Sequence, residues 1–248
     1  MHRYFLEIAF AGTNYHGWQF QPNALTVQEV LEKALSTLLR DKVAVTGCGR
    51  TDTGVHATSF FVHFDYHSNL PDNLQDKLNR FLPQDIAILN IFTVEQDSHA
   101  RFDAISRTYR YYIHQRKDPF LHDRSWFVPV KLDVDAMNQA CSYLFDYTDF
   151  TSFSKLHTDT KTNNCHIMKA HWKADGHQLI FEIQADRFLR NMVRAIVGSL
   201  ADIGKGKYSP EHIKTIIEAK DRSEAGQSVP ARALYLTEIR YPSSITTL

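Results

Sequence analysis

Two hydrophobic periodicities follow one another twice along these 248 residues, and their order restricts the possible folds more than composition does. The first has a period of two. In SFFVHFDY (59–66), Phe60, Val62, Phe64 and Tyr66 fall on one side of an extended chain. The second is helical. In VQEVLEKALSTLL (27–39), Val27, Val30, Leu31, Ala34, Leu35 and Leu38 form one apolar stripe. Thr26 and Glu29 stand ahead of it in capping-box spacing. RYFLEIAF (3–10) and IAILNIFTV (86–94) are rich in β-formers and read as strands, with a short helix over 71–82 that stops at Pro83.

The second half repeats this order. RTYRYYIHQ (107–115) reads as a strand, and DVDAMNQACSYLF (133–145) as a helix capped by Asp133. HIMKAHWKA and QLIFEIQA flank Asp175-Gly176, a hairpin signal. FLRNMVRAIVGSLADIG (188–204) predicts a helix striped by Leu189, Met192, Val193, Ile196 and Leu200, and a helical wheel puts Arg187, Arg190 and Arg194 on its other face. A short helix at 210–219 and a last strand, ALYLTEIRY (233–241), complete the chain. The expected fold class is α+β: two related α/β lobes that share a mainly antiparallel sheet, an N-terminal lobe over 1–104 and a C-terminal lobe over 105–248. Short helices and hairpin connections favour this over a doubly wound parallel sheet.

Composition excludes several classes. Hydrophobic residues at 43% and aromatics at 12% suit a folded globule. No apolar run approaches the roughly 20 residues of a membrane helix, so no membrane partner is expected. Met1 leads directly into a strand pattern, which is too short and too early for a signal peptide. Three scattered cysteines, Cys48, Cys141 and Cys165, fit a reducing cytoplasm better than a disulfide framework. With neither CxxC nor HExxH present, no metal site is expected. The formal net charge is zero, yet two tracts are basic. Arg101–Arg124 carries six Lys/Arg against three Asp, and Asp186–Lys207 carries five against two. Cations interleaved with aromatic rings suit RNA, although a solvated surface would read the same way.

One loop concentrates the chemistry. GCGRTDTGVHA (47–57) places a single carboxylate, Asp52, two residues after Arg50 and among three glycines. It matches no phosphate-binding loop. An aspartate beside an arginine can stay ionised and act as nucleophile or general base. It can equally cap a turn.

GRTDTGVHA resembles the GRTDAGVHA signature of the TruA family of tRNA pseudouridine synthases. YHGWQFQPNALTVQEVLEKAL (15–35), HARFDAISRTYRYYI (99–113), FLRNMVRAIVGSLADIGKGK (188–207) and VPARALYLTEIRYP (229–242) resemble further blocks of that family, in the same order. The resemblance implies a pseudouridine synthase fold and isomerisation of uridine to pseudouridine at positions 38 to 40 of the tRNA anticodon stem-loop, without a cofactor. It implies Asp52 as nucleophile and Arg194 as its ion-pair partner. Attack at uracil C6, attack at ribose C1′ and abstraction of a ribose proton all remain open for Asp52. Tyr109 would stack on the target uracil, Arg50 would enter the space left by the extruded base, and Leu234 would wall the uracil pocket. His99, Arg101, Phe102, Lys161 and Thr162 would meet the RNA, and the protein would be a homodimer. Thr53 replaces the family's alanine, Ala233 a glycine, and Cys165 a frequent arginine. Two other readings compete: an RNA-binding protein without catalysis, and a carboxylate-based nucleoside hydrolase that releases free uracil.

Overall fold

The computed structural model describes residues 1–155 and 162–246. In chain order its elements are β1 (His2–Phe10), α1 (Val27–Leu39), β2 (Thr46–Gly47), β3 (His56–Tyr66), α2 (Leu74–Phe81) and β4 (Ile86–Val94). Then come β5 (Ser106–His114), β6 (Trp126–Phe127), α3 (Val134–Ser142), β7 (Ile167–Asp175) and β8 (Gln178–Ala185). α4 (Met192–Gly204), α5 (His212–Ala219), β9 (Leu234–Arg240) and α6 (Ser243–Thr246) follow. Contacts divide these into two compact units, one of residues 1–105 with 235–248 and one of 106–234.

In the first unit β1 lies between β4 and β3, antiparallel to both. The register gives its two faces different chemistry. Tyr4, Leu6 and Ile8 stand opposite Phe64, Val62 and Phe60, and all six are buried. On the other face Phe5 pairs with His63, Glu7 with Phe61 and Arg3 with Asp65. An alternating pattern in β3 suggests one buried side, but Phe60 through Phe64 are buried without interruption. The second face is covered too: Tyr241 sets its ring edge-on against Phe5 and Phe61. α1 is capped by the Thr26 hydroxyl, which accepts from the Glu29 N–H at 3.4 Å, and it buries Val27, Leu31, Ala34, Leu35 and Leu39. α2 rides on β4 through Asn79, whose amide bonds both the N–H and the carbonyl of Ile88, where the β1–β4 register shifts.

The last strand departs from the division expected from sequence. The C-terminal lobe was expected to run to residue 248, whereas residues 235–248 belong with the N-terminal unit. β9 pairs parallel to β3 through His56↔Tyr235 and Ala57↔Leu236. The Ile105 N–H donates to the Arg240 carbonyl at 2.7 Å, and the buried Tyr241 hydroxyl donates to the Ala100 carbonyl at 2.5 Å. A buried carbonyl left without a donor is costly, so these contacts hold the strand where it is.

In the second unit β8 lies between β5 and β7, antiparallel to both, and Gly176 (φ 57°) makes the β7–β8 turn. Asp133 caps α3 by accepting from the Ala136 N–H at 2.9 Å. α4 is buried on nearly every side, as a continuous apolar run demands. It starts later than the periodicity predicts. Asn191 adopts a left-handed conformation (φ 69°, ψ 0°) and breaks the helix on its N-terminal side. Arg187 and Arg190 therefore precede the helix and do not share its face with Arg194.

Candidate active-site loop and nucleic-acid interface

The loop around Asp52 leaves the first unit's sheet after Cys48, whose N–H donates to the Phe61 carbonyl, and rejoins it at His56. Within it the Val55 N–H donates to the Asp52 carbonyl at 3.1 Å, and Gly54 takes φ 79°. A second backbone segment presses on this turn. The Gly54 N–H donates to the Tyr15 carbonyl at 3.3 Å, and the Gly12 N–H donates to the buried His56 imidazole (Nδ1) at 3.1 Å. Approach is so close that a Cβ on Gly12 would lie 1.9 Å from the Val55 oxygen, and one on Gly17 (φ 87°) 2.3 Å from the Thr51 oxygen. Only glycine fits either position. Tyr15 is tied down in turn: its hydroxyl donates to Asp85 at 2.6 Å, and burial together with that carboxylate pushes its pKa up, so it stays neutral. Asp52 is half-buried on this clamped turn, and the adjacent Thr51 hydroxyl is buried without a hydrogen-bond partner.

A second turn, Ser98–Asp103, lies over the Phe5–His63 face. His63 Nδ1 accepts from the Ala100 N–H at 3.1 Å, and His99 Nδ1 accepts from the N–H groups of Arg101 and Phe102 at 3.1 and 3.3 Å. Asp103 accepts from the His99 N–H at 2.7 Å, and Arg3 joins Asp65 to the Ser98 carbonyl. Both imidazoles must be unprotonated at Nδ1 to accept these bonds. Their surroundings agree. Burial, with His99 and Arg3 adding, pushes His63 down to about 4 against the pull of Asp65 and Asp103. Burial also lowers His99. The turn displays Arg101 and Phe102 on the surface beside a cavity of about 240 Å³ that Arg50 and His99 also line. Four of the residues singled out from sequence are thus brought together in one unit.

Tyr109, Thr162, Arg194 and Leu234 lie in the second unit, and Lys161 falls outside the described residues. Tyr109, on β5, is half-buried with its ring edge-on to Phe188 at 5.1 Å, while Tyr111 is fully buried and donates to the Pro230 carbonyl. Arg194 stands in the first turn of α4. Its Nε donates to the Val229 carbonyl at 2.7 Å. A cation in that turn opposes the helix dipole, a local cost that suits a functional position. Leu234 is buried at the start of β9. Thr162 accepts at its carbonyl from the Arg187 guanidinium at 3.1 Å. Cys165 is buried, and burial pushes its thiol up to about 12, so it is a neutral packing residue. Among the described residues no three or more His, Cys, Asp or Glu gather to hold a metal, and no helix is long and apolar enough to cross a membrane.

Sequence reading missed Gly12, Gly17, Tyr15 and His63. The block 15–35 stands out in the sequence, but its contact with the Asp52 loop is invisible in one dimension. His63 looked like one more residue of an alternating strand.

A family model described as tRNA pseudouridine synthase matches residues 8–103 and 140–242. The chain belongs to the tRNA pseudouridine synthase family. Relatives in that family match along the whole length. A tRNA pseudouridine synthase A from Parabacteroides distasonis is 53% identical, covering 99% of this chain and 98% of its own. Another from Porphyromonas gingivalis is 52% identical, covering 99% of each. One from Francisella tularensis subsp. holarctica is 42% identical, covering 98% of this chain and 95% of its own. In a synthase of this family the matched range takes in both the Asp52 loop and the Arg101–Phe102 turn.

Two outcomes test the geometry of the loop and the turn. Gly17→Ala forces a side chain into positive φ and onto the Thr51 oxygen, so urea unfolding should show a loss of more than about 1 kcal/mol. Gly49→Ala meets open space and should stay within about 0.5 kcal/mol of wild type. Equal losses in the two variants would refute the clamp. For His63, the folded pKa lies below the unfolded value, so its stabilisation is complete above about pH 6.5 and is lost as pH falls towards about 4. Between about pH 7 and pH 5 the wild type should lose about 2 kcal/mol more than His63→Asn, which keeps an acceptor but does not titrate. Parallel pH profiles for the two proteins would show that His63 is not held neutral.

Proposed function

We propose that this chain converts uridine to pseudouridine in tRNA, at positions 38 to 40 of the anticodon stem-loop, with Asp52 as the nucleophile. The observation that carries the reading is the clamped Asp52 turn, which shares its loop with Arg50 at the edge of an arginine- and aromatic-lined cavity. The reaction is balanced without a cofactor. The C1′–N1 bond breaks, the uracil turns, C5 bonds to C1′, and the proton lost from C5 is matched by one gained at N1. Inside a stem-loop the base must first leave its stack, at a cost of a few kcal/mol. Arg50, exposed beside Asp52, fills the space that the base vacates. Tyr109 stacks on the uracil and Leu234 forms an apolar wall, roles suited to a half-buried ring and a buried side chain. Arg194 supplies the cation that the reaction calls for, its Nε fixed on the Val229 carbonyl.

Arg101, Phe102, Lys161 and Thr162 take the RNA backbone and bases around the target. The protein acts as a homodimer in the cytoplasm, where its three buried free thiols are at home. Dimerisation would gather the two basic tracts of each neutral chain into a groove for phosphates.

The purified Asp52→Asn variant should form no pseudouridine while binding tRNA nearly as well as wild type, because the amide keeps the shape and removes the nucleophile. Arg194→Lys should retain part of the rate and Arg194→Ala far less. Turnover by the Asn variant, or equal rates in the two Arg194 variants, would overturn these roles. For the assembly, sedimentation at micromolar concentration should give a dimer, and tRNA affinity should fall steeply from low to moderate salt. Reversing the charge at Arg101 should flatten that slope. A monomer whose affinity ignores salt would refute the dimeric groove.

A further inference from the structure

The half-open cavity beside the Asp52 loop has a well-defined lining. Its floor is the fully buried Trp18 indole, which nestles against Gly47 where any Cβ would collide with it. Its rim is fixed by Gln28, whose carbonyl oxygen accepts from the Gln19 side chain and the Phe20 N–H while its amide donates to Glu32 and the Val45 carbonyl. One wall is Phe102, which is 74% exposed. The His99 ring lies against it at 4.2 Å, and the Arg101 guanidinium stands over it at 5.7 Å. Two arginines and no carboxylate line the space. Because His99 accepts two backbone bonds at Nδ1 and is held neutral, its proton sits on Nε2, which makes that nitrogen a donor.

An exposed aromatic ring offers a face on which a nucleobase stacks, and guanidinium groups bind phosphate. At about 240 Å³ the space is smaller than the roughly 300–1,000 Å³ of drug-sized sites, which suits one nucleobase with part of its sugar. Arg50 lies two residues before Asp52, no more than about 7 Å along the chain. The occupant therefore belongs within a few nucleotides of the one that meets Asp52.

We infer that this cavity holds a second, unpaired nucleobase of the substrate RNA, a near neighbour of the target uridine, stacked on Phe102 with its phosphate on Arg101. The inference rests on the proposed function for its substrate, but it concerns a base that undergoes no reaction. The subsite would fix the register of the loop, so that a chosen uridine faces Asp52.

The test uses the full-length protein and synthetic anticodon stem-loops carrying 2-aminopurine at one unpaired loop position at a time. Binding is followed by anisotropy, stacking by 2-aminopurine emission, and pseudouridine formation is scored separately on unlabelled RNA. At least one probe position should change its emission on binding wild type. Phe102→Leu should abolish that change and weaken binding at least about five-fold, the scale of one lost base–aromatic stack. Phe102→Tyr, which keeps the ring, should restore both. Phe102 is exposed, so folding is not at stake. If Phe102→Leu binds like wild type with the same emission, or if no probe position responds in wild type, the subsite is wrong even though pseudouridine still forms. If emission behaves as expected but no pseudouridine forms, the subsite stands and the proposed reaction fails. No RNA binding by wild type overturns both.

Discussion

The approach of the Gly12–Gly17 backbone to the Thr51–Val55 backbone is the constraint on which the functional end of this molecule depends. Flexible loops pay an entropic penalty whenever they must hold a charged group in one place. Here the penalty is met in advance, because two glycines let a neighbouring segment sit directly against the loop's peptide oxygens. Hydrogen bonds from Gly54 to Tyr15 and from Gly12 to His56 then lock the contact. Tyr15 passes the restraint to Asp85, whose backbone carbonyl also accepts from the Ala11 N–H. A carboxylate on such a turn has its backbone fixed by packing.

The turn that displays Arg101 and Phe102 solves a similar problem with different chemistry. Exposed cationic and aromatic side chains are useful for RNA only if the backbone beneath them is ordered. Two neutral imidazoles do the ordering, each accepting backbone N–H groups that the irregular turn would otherwise leave unpaired. His63 can do this because it is buried in the sheet face beneath, which keeps a proton off its ring. The same burial that stabilises the core thereby orders the turn that displays Arg101 and Phe102.

Part of this was legible in one dimension. The helix at 27–39 follows from its periodicity, since Val27, Leu31, Ala34 and Leu35 of its stripe are buried, and the strand at 86–94 follows from its content of β-formers. The α4 helix was legible in its apolar stripe but not in its start. Nothing in FLRNM announces that Asn191 will turn left-handed, because that choice depends on the packing of the segment around it, including the bond from the Lys155 N–H to the Arg190 carbonyl. β3 carried an alternating pattern and yet is buried on both faces, because its second cover arrives from Tyr241, far along the chain.

The sequence by itself determined the element order, the α+β class, the family, and the identity of Asp52, Arg50, Arg101 and Phe102 as the residues to watch. These are local patterns and ordered motifs, and each can be read within a few tens of residues. Only the tertiary structure decided that the last strand returns to the N-terminal unit, that residues 12–17 clamp the Asp52 loop, and that His63 holds up the turn at His99. Each of these is a contact between segments distant in sequence, and its energy comes from burial and hydrogen bonds that do not exist until both partners are in place.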